Sequence, residues 1–177
     1  MPITTANVVI GEAYLYTGPG DTAEPATLPG NGGVLTGWTH IGGTEEGVSL
    51  NLERDITNHY IEEVAIQVFA TPGTSTFTIS GSMAEMTLAN WKLGVGGGTI
   101  AGSVLTLSDT LDTVALYLDM QSPGAANRRA CYVPRAQSVG SLEVQHRRAE
   151  QKQLIGFSFN SSCTFAEIKI TDKAGGN

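Results

Sequence analysis

A chain of 177 residues that is 41% hydrophobic, only 15% charged and carries 22 glycines suits one domain with one core and a turn-rich β architecture, not a helical bundle. Its net charge of −7 argues against a DNA-reading protein, which shows a basic patch. The charge is unevenly held: residues 1–91 carry ten acids against a single base, Arg54, for a net −9, and the remainder carries +2.

The first predicted strand is Glu12–Thr17. Gly18–Gly37 follows, rich in Gly and Pro and without apolar periodicity, and reads as one long loop. From Val48 the period is two. Val48, Leu50 and Leu52 alternate with Ser49, Asn51 and Glu53; Val64, Ile66 and Val68 alternate with Ala65 and Gln67; Phe77 and Ile79 alternate with Thr76, Thr78 and Ser80. Strands Val48–Asp55, Ile61–Thr71 and Phe77–Ser80, each with one apolar and one polar face, are expected.

One helix is well signalled, near residues 83–93. Ser82 followed by Glu85 has capping-box spacing, and Gly94 can end the helix in a left-handed cap. Ala84, Leu88, Trp91 and Val95 fall on one stripe, with Met86 and Leu93 nearly opposite. One stripe packs on the helix's own sheet; the other meets either a second subunit or a loop of the same chain. Further strands are expected at Ser103–Leu107, Thr113–Met120, Arg129–Arg135, Gln153–Asn160 and Phe165–Thr171, with turn clusters between them, which is a sandwich or barrel pattern.

Chemistry is not signalled. His40, His59 and His146 lack the spacing of a zinc site, and Asp109, Asp112 and Asp119 lack that of an EF-hand. No Gly-x-Ser-x-Gly elbow occurs. The glycines of Gly94–Gly98 follow a helix instead of leading into one, the wrong side for phosphate. Cys131 and Cys163 are too few for a disulfide framework and are expected reduced. No metal, cofactor or catalytic residue is expected. No apolar run approaches the ~18 residues of a membrane span and Met1–Thr17 has no leader pattern, so a protein made in a cytoplasm without a membrane span is expected.

The succession Trp38-Thr39-His40-Ile41-Gly42-Gly43-Thr44-Glu45-Glu46-Gly47, alternating strands, then Ala84-Glu85-Met86-Thr87-Leu88 resembles the tail tube (major tail) proteins of long-tailed bacteriophages, chiefly over Gly37–Lys92. The resemblance implies a single tail-tube domain over 1–177: an antiparallel β-sandwich or barrel with one flanking α-helix and long loops. Such subunits are expected to close into hexameric rings that stack into a conduit for DNA delivery. The implied partners are further copies of itself, a tape-measure protein, tail terminator and baseplate or distal tail proteins, with DNA passing without sequence-specific binding. The implied location is the virion tail, assembled in the host bacterial cytoplasm. The loop 18–37 has no match in the family pattern.

Within that frame the candidates for the lumen wall are Ser49, Asn51, Glu53, Asp55, Glu63 and Gln67, the polar faces of the expected hairpin, because an acidic wall keeps DNA hydrated and mobile. Candidates for subunit contacts are the helix residues Met86 and Leu93, and an acidic Glu45 and Glu46 facing a basic Arg147, Arg148 and Lys152 beside His146. The competing reading is a decoration or adhesin-like binding module, for which exposed Trp38, Tyr14 and Tyr16 would be the recognition surface.

Overall fold

The computed structural model describes residues 13–26, 33–60, 67–120, 127–139 and 153–174. Its strands are β1 (Ala13–Pro19), β2 (Thr39–His40), β3 (Thr44–Tyr60), β4 (Gln67–Met83), β5 (Thr99–Ala101), β6 (Val104–Thr106), β7 (Thr113–Met120), β8 (Asn127–Ser138), β9 (Ile155–Ser161) and β10 (Lys169–Ala174), and its α-helix is α1 (Leu88–Val95). The expected class is the one observed: mainly β, antiparallel throughout, curled into a half-barrel with one helix. The main sheet runs β2-β1-β7-β8-β9-β4-β3, with β10 joining β8 and the β5–β6 hairpin separate.

Period-two alternation decides what each face buries. On one face Leu15, Leu118, Cys131, Val133, Ile79, Phe77, Phe157 and Phe159 form the main core, and α1 covers it through Trp91 and Leu93. Each such Leu, Ile or Phe contributes roughly 1.5–3 kcal/mol by leaving water. On the opposite face, Tyr16, Tyr117, Ala130 and Tyr132 make a second cluster closed by Leu35, from the 18–37 region, and by Trp38 just after it. That region is thus partly a cover. Tyr132 donates its hydroxyl proton to the Thr22 carbonyl at 2.7 Å and Tyr16 to the Gly33 carbonyl at 3.1 Å.

Three elements differ from expectation. In place of three strands between Val48 and Ser80, two 17-residue strands form one long hairpin. The expected break at residues 56–60 is absent because Ile56, Thr57, Asn58 and His59 pair with Pro72, Thr71, Ala70 and Phe69. Pro72 and Gly73 do not turn the chain. They sit at a bulge between the Arg54–Ser75 and Ile56–Pro72 pairs, where a Cβ on Gly73 would lie 3.1 Å from the Asp55 Cβ. β9 pairs only Thr78–Met83, so at Pro72 β4 is paired on one side alone, by β3, and an edge position is where a strand tolerates proline. Beyond the core this hairpin is an exposed arm: Leu52 and Ile56 are 49% and 61% accessible. Residues 61–66, in the expected strand Ile61–Thr71, lie outside the described residues.

The helix starts later than the Ser82–Glu85 spacing implies. Ser82 is held in the sheet between Glu45 and Gly156, so its hydroxyl has no helix to cap. Thr87 takes the role, its side chain accepting the Asn90 amide at 3.1 Å. The left-handed cap is Gly96 (φ 84°), not Gly94, which is buried inside the last turn. Asn90, buried, ties the helix to the segments after β2 and after β4 by donating to the Ile41 and Glu85 carbonyls, each at 2.9 Å. The expected strand Phe165–Thr171 opens as a 3-10 turn, Phe165–Glu167, before β10.

Candidate assembly surface

The sheet face opposite the main core changes character halfway across. Over β1, β7 and β8 it is largely aromatic and covered by Leu35 and Trp38; over β9, β4 and β3 it is polar, with no cover among the described residues. The register aligns Thr113, Gln137, Asn160, Thr78 and Asn51 in one row across five strands. Side chains bond along it: Gln137 to Thr113 at 3.2 Å, Thr78 to Asn160 at 2.7 Å, and Asn51 onward to Glu53 at 3.0 Å. Ser49, Ser80 and Ser158 form the adjacent row. Hydroxyls and amides in hydrogen-bonded rows keep this face wettable and ordered at once.

Of the residues expected on the lumen wall, Ser49, Asn51 and Glu53 share this face and are exposed. Asp55 is exposed at the bulge, one step past the Arg54–Ser75 pair. Gln67 opens β4 opposite Tyr60, but its side chain and all of Glu63 lie outside the described residues. The hairpin's main-core face continues outward as Leu52, Arg54 and Ile56, with Arg54 resting 5.7 Å over the Phe165 ring.

Both sheet edges are open among the described residues. β3 has no strand on its outer side, and β1 is paired by β2 only at Tyr16 and Thr17. Beside the second edge, a groove of about 640 Å³ opens between α1 and the ends of β1 and β7, with Ile41, Leu93, Val114 and Phe159 in its lining and Thr39, His40 and Glu85 on its walls. Lys92 at the groove engages Asp112 at 3.0 Å.

The expected contact residues are dispersed. Leu93 packs against the main core and lines the groove, whereas Met86, 36% accessible, precedes the helix. Glu45 pairs with Ser82 at the start of β3, before a two-residue insertion ending at Gly47 (φ 82°). The side chain of Glu46, and Arg147, Arg148 and Lys152 with His146, lie outside the described residues, so the acidic-to-basic pairing is not placed. Of the aromatics in the competing reading, Tyr16 and Trp38 are buried, and Tyr14 is half-buried in the same cluster.

Sequence reasoning passed over a buried ion pair. Arg128 and Asp119 meet at 2.9 Å beneath the aromatic cluster. Burial raises the Asp119 carboxyl above its ordinary pKa against the opposing pull of the Arg128 guanidinium. Burial also raises the Tyr117 hydroxyl, with the Asp119 charge adding to it, and pushes the Cys131 thiol up to about 11. Among the described residues no three His, Cys, Asp or Glu side chains converge as metal ligands, and no helix is long and apolar enough to cross a membrane.

No protein-family model and no curated protein matches the chain. Among solved structures, it is similar to a chain of an extracellular contractile injection system, the PVC sheath-tube complex in its extended state. The match covers 92% of this chain and 88% of the other, at 11% identity and a TM-score of 0.46.

Proposed function

We propose that this protein is a structural subunit that polymerises edge to edge into rings, which stack into a tube of the phage-tail type. The observation that carries the reading is the sheet whose two edges, the long β3 and the short β1–β2, are open among the described residues, with a row of polar side chains crossing it from β7 to β3. An exposed 17-residue edge is a liability for a monomer and an asset for a ring, because pairing β3 of one copy with the β1–β2 edge of the next leaves no edge. Such a contact joins two different surfaces, and head-to-tail contacts close into rings when the rotation permits. The hexameric count, the tape-measure, terminator and baseplate partners, the virion location and DNA as cargo come from the resemblance over Gly37–Lys92.

The polar rows become the lumen wall in this arrangement. Glu53 and Asp55 supply its acidity among the described residues of the arm, with hydroxyls and amides between, so a polyanion meets hydrogen-bonding groups without a cation that would grip it. The protein acts as a conduit and not as an enzyme. Electron microscopy with sedimentation velocity tests the reading: rings or tubes with an open bore are expected as concentration rises, and monomers at every concentration overturn it.

A further inference from the structure

From the arm and the groove we infer a specific contact between copies: the main-core face of one copy's arm seats in the next copy's α1 groove, Leu52 and Ile56 over its apolar lining and Arg54 against Glu85. This deepens the self-assembly reading and rests on it.

Three observations meet here. First, the arm carries an accessible apolar stripe: Leu52 and Ile56 are 49% and 61% accessible, on the face that nearer the body partly buries Leu50 and fully buries Ile79. Large accessible aliphatic side chains aligned on one strand face mark an interaction surface. Second, the groove's apolar part is turned to that same face of the sheet, because Val114 and Phe159, which line it, belong to the main-core side. Thr39 and His40 place its mouth at the β2 edge. When β3 of one copy continues the sheet beyond the β1–β2 edge of the next, the main-core faces are continuous, and the arm's stripe comes level with the groove. Its volume of about 640 Å³ falls within the roughly 300–1,000 Å³ of pockets that bury a small ligand, ample for two aliphatic side chains.

Third, the charges are complementary. Arg54 is the only Lys or Arg in residues 1–91, and it stands between Leu52 and Ile56. Glu85, exposed, lies on the groove wall, where Lys92 already engages Asp112. In the single chain Arg54 rests over Phe165, and its long flexible side chain can exchange that ring for a carboxylate. The apolar pair supplies adhesion and the ion pair fixes register, so the arm seats in one position.

A charge exchange in the full chain tests this, because both side chains are exposed and their replacement spares the core. Arg54→Glu and Glu85→Arg should each raise the concentration for half-assembly by about tenfold, a 1.4 kcal/mol change, and the double variant should return to within about threefold of the original. Thermal midpoints of the dilute subunits should stay unchanged. Single variants that assemble normally, or a double variant no better than either single, overturn the arm-in-groove contact while leaving tube assembly standing. An unmodified chain that never assembles overturns both.

Discussion

Arg128 Nη2 lies 2.9 Å from Asp119 Oδ2, with both side chains almost wholly withdrawn from solvent on the face covered by Tyr16, Tyr117 and Trp38. Two charges taken out of water attract strongly only while both are present. Asp119→Asn leaves the Arg128 guanidinium buried without its counter-charge and should cost about 3–5 kcal/mol, whereas Asp119→Leu with Arg128→Met should be nearly neutral or stabilising. Urea denaturation of the dilute subunit separates the two: a double variant as unstable as the single would show that the pair's value lies in contacts other than its charges.

The helix termini are the next place where one atom matters. Thr87→Ala removes the acceptor for the Asn90 amide and should cost about 1 kcal/mol. Gly96→Ala should cost about 1–2 kcal/mol, since φ is 84° there and a Cβ would meet Leu111 at 2.9 Å and Ser138 at 3.0 Å. Hydrogen exchange should show the loss first in α1 amides; uniform loss across the sheet would mean that the helix and sheet open as one unit.

The turn before β10 should respond to pH. Glu167 accepts from the Thr164 amide and hydroxyl, each at 2.8 Å, and from Arg135 at 2.9 Å, and the Thr164 bonds lead in holding it below its ordinary 4.5. A depressed carboxyl stabilises the fold above its unfolded pKa, and the contribution disappears as pH falls through the folded value. The thermal midpoint of the native chain should therefore exceed that of Glu167→Gln near neutrality, with the gap closing as pH falls below the ordinary carboxyl value of 4.5. A gap independent of pH would assign the effect to shape instead of charge.

Glu53 tests the bore. It stands on the polar face beside Asn51, and if that face is the proposed lumen wall, Glu53→Lys places a cation in the bore from every subunit. Tubes should form normally, but DNA ejection from assembled particles should slow, because each lysine releases counterions from passing phosphates. Unchanged ejection kinetics would put Glu53 on the outer wall.

Much of this molecule is legible along the chain. The alternation of Val48, Leu50 and Leu52 with Ser49, Asn51 and Glu53, and the strand Thr113–Met120, are found as read, because a strand's two faces are written in its own neighbours. The mainly β class is a compositional fact of the same kind. What alternation could not supply was partnership. Whether Pro72-Gly73 turns the chain or bulges it depends on Asp55 and Ile56 across the hairpin, and whether Ser82 caps a helix or stays in a strand depends on Gly156, seventy-four positions away. The polar row from Thr113 to Asn51 and the groove beside α1 likewise exist only after strands far apart in sequence come into register. Hydrogen bonds and burial between such strands outweigh local preferences of about 1 kcal/mol per residue, and for that reason the faces were set by the sequence alone and the edges, arm and groove by the tertiary structure.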